Sequence, residues 1–169
     1  IEDILKLKTV SEVQISPDGK WVAYTVSEMD MKKDKSLRRV YSIPINGGVP
    51  IAITGKDYSA SQPRWSPDNK YLSFLAKKNK EEKTQVWTSN RLGGDAEVQT
   101  KIPQGVSGHE WAPVGNKLLL VLKDPKPEEL TKDKEDDKKA KPYVIDRRQF
   151  KQDYVGYLDR YRNHIYTLV

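Results

Sequence analysis

His109 and His164 are the only two imidazoles in a chain of 169 residues that contains no cysteine. The missing thiols exclude disulfides, thiolate catalysis and Cys-ligated zinc, but they do not choose between a cytoplasmic and a periplasmic or secreted compartment. His109 closes the run Gly105-Val106-Ser107-Gly108-His109, the nearest approach to an activated serine. A nucleophilic serine on a strained strand-to-helix turn needs the spacing Gly-x-Ser-x-Gly, which exposes its oxygen. Here the second glycine comes one residue early, so Ser107 and His109 read as strand positions. A metal held by two histidines would need carboxylates at clustered or helical spacing, and neither histidine has them; no metal and no cofactor is implied.

The residues most suited to recognition lie in the segment Pro142 to Arg162. It interleaves Arg147, Arg148, Arg160 and Arg162 with Tyr143, Tyr154, Tyr157 and Tyr161. Arginine with tyrosine is an interface pairing, and inserted loops on a rigid scaffold often carry recognition. Arg147, Arg148, Tyr157 and Arg160 are therefore the candidate contacts for a peptide carboxylate or for a docking domain. The preceding run Lys123 to Lys141 holds seven basic and seven acidic residues and no aromatic one, the composition of a solvated loop. The net charge of +6 is interleaved in this way, so no nucleic-acid partner is expected. No apolar run is long enough to span a membrane.

The elements that must position these groups follow from an internal repeat. Ser16-Pro17-Asp18-Gly19-Lys20-Trp21-Val22-Ala23-Tyr24 returns as Ser66-Pro67-Asp68-Asn69-Lys70-Tyr71-Leu72-Ser73-Phe74, and again from Ala112 to Leu120. Alternation of Leu72, Phe74 and Ala76 with Tyr71, Ser73 and Leu75 is the period of a strand. Each copy divides into four strands, in the second copy Ser61–Trp65, Lys70–Ala76, Thr84–Asn90 and Ala96–Thr100. Asp18 and Asp68 occupy turns, where proline presets φ and Gly19 or Asn69 accepts a left-handed backbone. Gly47-Gly48 and Gly93-Gly94 punctuate a later hairpin. Trp65 and Trp111, with Ile15 as their first-copy counterpart, read as packing between neighbouring units.

Four-stranded units at this period make the blades of a β-propeller. The expected fold is all-β, an incomplete β-propeller of about three four-stranded blades in which the third lacks its last strand. The blades are expected at about 10–56, 57–101 and 102–169, the third interrupted by an insertion over 123–163. Open blade faces and edges are avoided in soluble proteins. With Ile1 in place of an initiator Met, this leads to the expectation of a longer parent polypeptide or of an assembly.

With the blades placed, the sequence resembles the TolB-type propeller repeat, and more closely the amino-terminal propeller of the prolyl oligopeptidase family in its acylaminoacyl-peptidase-like branch. The resemblance is carried by Asp3-Ile4-Leu5-Lys6-Leu7-Lys8 with Val10-Ser11-Glu12, by the triple repeat, and by Tyr143-Val144-Ile145-Asp146-Arg147-Arg148 with Gly156-Tyr157-Leu158 and His164-Ile165-Tyr166. It implies a propeller that is not itself the catalyst. In that family a separate α/β-hydrolase domain carries a Ser-Asp-His triad, and the propeller restricts entry to short peptides. The hydrolase domain and short peptides are then the implied partners. The alternatives are a stand-alone TolB-like binding or scaffold propeller and a small β domain that completes its sheets by oligomerising.

Overall fold

The computed structural model describes residues 6–31, 35–78, 83–124, 145, 148–153, 156–157 (backbone alone) and 161–169. Thirteen strands and no helix are found among them. The first blade is an antiparallel sheet of β1 (Thr9–Ile15), β2 (Trp21–Asp30), β3 (Lys35–Pro44) and β4 (Ile51–Ala52), in that spatial order. The second repeats it with β5 (Ser59–Trp65), β6 (Tyr71–Lys77), β7 (Gln85–Asn90) and β8 (Glu97–Val98). The third has three strands, β9 (Gly108–Trp111), β10 (Leu118–Asp124) and β13 (Arg162–Leu168), with β10 in the middle. Between β10 and β13 lies a separate two-stranded hairpin of β11 (Lys151–Gln152) and β12 (Gly156–Tyr157). The all-β, incomplete propeller expected from the repeat is the observed architecture.

The turn chemistry is local and repeated. In the first blade Ser16 Oγ donates to Asp18 Oδ1, which also accepts the Lys20 N–H, and the Trp21 N–H donates back to Ser16 Oγ. Ser66, Asp68, Lys70 and Tyr71 reproduce the same three bonds in the second. Gly19 at φ 68° and Asn69 at φ 61° hold the left-handed position that closes each turn. Hydrogen bonds to the two aspartates, from the serine first, lower both carboxyls below their ordinary range.

The outer strands are shorter than the sequence predicts: two residues, Glu97–Val98, where Ala96–Thr100 is expected. A side chain takes over the ladder there. Thr100 Oγ1 accepts the Val86 N–H at 3.0 Å, and Thr54 Oγ1 accepts the Val40 N–H at 3.0 Å in the first blade. A hydroxyl in place of the carbonyl satisfies the inner donor while the main chain departs from strand geometry.

Packing follows strand parity. From Leu72 to Ala76 every residue of β6 is buried, because this strand lies between two blades. Leu72, Phe74 and Ala76 join Ala23 and Val40 in one core, against the first blade. Leu75 joins Val86, Leu118, Leu120 and Leu122 in a second, against the third blade. One face of β6 thus meets the preceding blade and the other the following one. The corresponding first-blade residues Val22, Tyr24 and Val26 are only half-buried, and Tyr24 stacks on Tyr41 with ring centroids 5.8 Å apart.

Candidate functional site

The first strands of the three blades, β1, β5 and β9, lie side by side. Two of them are broken by a bulge, between Ser11 and Gln14 in β1 and between Ser61 and Arg64 in β5. Inside each bulge a non-glycine residue takes a positive φ: Glu12 at 54° and Gln62 at 53°. A bulge re-aims a side chain and increases local twist. Here it turns Glu12 toward the next blade, where its Oε2 accepts the Gln62 N–H at 2.8 Å and the Thr25 hydroxyl at 2.7 Å. Gln62 repeats the gesture more weakly, Nε2 donating to the Ser107 carbonyl at 3.4 Å.

The boundary between the second and third blades holds the densest polar group. Arg64 Nε meets Glu110 Oε2 at 2.7 Å, with the guanidinium mostly covered and the carboxylate more than half exposed. Behind this pair, Ser73 Oγ has three neighbours: the Arg64 carbonyl at 3.1 Å, Trp111 Nε1 at 2.8 Å and His109 Nε2 at 2.8 Å. The single hydroxyl proton goes to the carbonyl, which can only accept. The indole can only donate, so His109 Nε2 must donate as well, and the imidazole carries its proton there. His109 Nδ1 is then a bare acceptor, buried and without a partner. Burial, with the Arg64 charge nearby as a smaller cause, pushes the His109 pKa down to about 4. The ring is therefore neutral at pH 7 and serves as a structural donor.

Ser107 and His109 are each engaged elsewhere: the Ser107 hydroxyl donates to the Val121 carbonyl at 2.8 Å, and His109 faces Ser73 in the preceding blade. Trp65 and Trp111 do pack between blades, and each indole N–H also crosses the boundary, Trp65 to the Gln14 carbonyl at 3.2 Å and Trp111 to Ser73. His164 sits beside the insertion. Asp124 Oδ2 accepts both His164 Nδ1 and the Tyr166 hydroxyl at 2.6 Å, and Gln104 Nε2 donates to Oδ1 at 2.8 Å. The bonds from Tyr166 and His164 hold the Asp124 carboxyl below its ordinary range, while the carboxylate raises the Tyr166 phenol.

Of the four residues singled out in the insertion, Arg147 and Arg160 lie outside the described residues. Tyr157 is in β12, its backbone opposite Lys151, and Arg148 is exposed at a bend. Tyr161 is also exposed, with the Lys123 ammonium 5.3 Å from its ring centre. Of the interblade group only His109 stands out in the sequence; Arg64, Glu110 and Ser73 do not. One signal for it is present: Arg64 and Glu110 are counterparts 46 residues apart, with opposite charges. The arrangement joins three adjacent strands through hydrogen-bonding groups of both charges.

No family model matches the chain. It is 30% identical over 121 residues, 72% of its length, to the uncharacterized peptidase YuxL of Bacillus subtilis strain 168. It is 31% identical over 132 residues, 78% of its length, to dipeptidyl-peptidase 5 of Porphyromonas gingivalis. The chain spans 18% and 19% of these two relatives, about one fifth. Among solved structures it superposes on an acylaminoacyl peptidase in complex with Z-Gly-Gly-Phe-chloromethyl ketone with a TM-score of 0.74, at 19% identity over 98% of this chain and 24% of that one. The β-propeller domain of the trilobed protease from Pyrococcus furiosus matches with a TM-score of 0.56, at 20% identity over 69% of this chain and 34% of that one.

Proposed function

We propose, from the premise that this chain is a propeller region of a prolyl-oligopeptidase-family peptidase, that it is the non-catalytic wall through which short peptides reach a hydrolase domain carried elsewhere in the parent polypeptide. The observation that carries this reading is the row of β1, β5 and β9. It links three successive blades into one wall through Glu12, Gln62 and the Arg64–Glu110 pair. A rigid wall of that kind excludes bulky chains. Within this reading Arg147, Arg148, Tyr157 and Arg160 contact either the peptide's terminal carboxylate or the hydrolase domain.

The engagement of Ser107 and His109 in structural bonds supports a non-catalytic role. Two measurements test the proposal together. The coding sequence beyond Val169 is expected to give further blades and then a Gly-x-Ser-x-Gly elbow with Asp and His. A stop codon directly after the propeller would replace the proposal with a TolB-like binding protein. The chain itself is expected to resist labelling by a fluorophosphonate probe, and labelling abolished by Ser107→Ala would overturn the assignment.

A further inference from the structure

A second feature lies at the rim where β2 and β6 end and β5 begins. A cleft of about 870 Å³ opens between the first two blades, lined by Asp30, Lys35, Lys56, Asp57, Tyr58, Lys77 and Lys78 among others. Its volume falls in the range of ligand clefts, roughly 300–1,000 Å³. Four lysines against two aspartates leave the lining two charges positive. The cleft also has a rigid element: the Lys78 ammonium lies 4.0 Å from the Trp87 ring centre and 5.2 Å from that of Tyr58. Aromatic faces attract a cation without neutralising it as a carboxylate would, so they fix the ammonium in place and leave its charge available. Trp87 and Tyr58 are themselves held against the core between the blades.

We infer that this cleft binds the carboxylates of an acidic peptide segment. Spaced side-chain carboxylates can each meet a lysine, while the peptide's own N–H groups suit Asp57. The acidic groups of the lining repel a closely spaced row of phosphates more than carboxylates set apart along a peptide, which disfavours a nucleic acid. The Tyr58 ring and the lysine stems give the peptide backbone an apolar floor. The inference is independent of the proposed hydrolase, since it needs only these two blades.

The test is direct binding to the full chain, read by anisotropy of a labelled hexapeptide of alternating Glu and Gly, with its Gln counterpart as the neutral comparison. The acidic peptide is expected to bind about five- to tenfold more tightly, the advantage disappearing at high salt. Lys78→Gln combined with Lys77→Gln should abolish the difference, Lys78→Arg should preserve it, and Lys20→Gln, at the opposite end of β2 from the cleft, should leave it intact. Equal binding of the two peptides would overturn the inference. So would loss of the difference in Lys20→Gln, or tighter binding of a single-stranded oligonucleotide that is lost in the same Lys77 and Lys78 variants. Far-ultraviolet circular dichroism of each variant separates a binding loss from unfolding.

Discussion

The Glu12 carboxylate accepts the backbone N–H of Gln62, its own counterpart in the next blade, at 2.8 Å. Both residues sit at a positive φ, near 54° and 53°, in matching bulges. A non-glycine residue there carries local strain, of the order of 1–3 kcal/mol, that persists only where surrounding contacts offset it. The carboxylate bridge to Gln62 and Thr25 supplies that contact.

Glu12→Ala should therefore cost about 1–3 kcal/mol, the cost of leaving the Gln62 donor without its acceptor. Glu12→Gln keeps an amide oxygen for the same donors and should cost less than half as much. Urea unfolding midpoints compare the two, and equal midpoints for Ala, Gln and the parent would show that the bridge contributes nothing.

The buried His109 makes stability depend on pH in one direction. Its folded pKa, about 4, lies below the value near 6.5 of an unfolded histidine. Between those values the unfolded chain binds more protons, so stability falls as pH drops from about 6.5 toward 4. The loss reaches at most about 3 kcal/mol. His109→Gln, which can still donate to Ser73, should flatten this part of the curve. The lowered carboxyls of Asp18, Asp68 and Asp124 lose their stabilising effect as pH falls below their ordinary range, leaving the higher part of the window to the histidine.

Asn69 has two jobs that substitution can separate. Its φ of 61° suits glycine, yet its Oδ1 accepts the Asp18 N–H from the first blade at 2.9 Å. Asn69→Gly relieves the backbone and loses the bond, and should be close to neutral. Asn69→Ala loses the bond and keeps the strain, and should lower stability by about 1–2 kcal/mol. Thermal denaturation of the two variants checks the order.

A double-mutant cycle on Arg64→Ala and Glu110→Ala should return a coupling of about 0.5–1 kcal/mol, since one partner is largely open to solvent. A coupling that does not shrink with added salt would contradict the exposed geometry.

Asp124 raises the phenol pKa of Tyr166 by accepting its hydrogen bond. Asp124→Asn should move the Tyr166 titration down toward that of an ordinary tyrosine, read by ultraviolet absorbance against a Tyr166→Phe control. An unchanged titration would place the cause elsewhere.

The strands were legible because alternation along β6 and the Ser-Pro-Asp turns are both local. Pro17, Asp18 and Gly19 specify their turn without help from distant residues. The contacts between blades were legible only in part. Trp65 and Trp111 announced packing by size and position, but the direction of an indole N–H is not written in the residue type. The Glu12 bridge depends on a bulge, and a bulge is the place where the period of a strand fails. The shortened outer strands were hidden for a similar reason: Thr54 and Thr100 look like ordinary strand residues, while their hydroxyls replace a backbone partner. The insertion's Arg and Tyr were visible by composition, though composition gives no geometry.

Several links between blades join unlike groups: a carboxylate to an amide, an indole to a carbonyl, a guanidinium to a carboxylate. At the first boundary the preceding blade supplies the carboxylate, Glu12, and at the second the following blade does, Glu110, so the two faces of a blade differ. Such a contact is directional, the head of one unit meeting the tail of the next. A two-fold axis cannot pass through it, because a surface of this kind does not complement its own copy. Any association through these faces must therefore join unlike faces of successive blades, as Glu12 and Gln62 do.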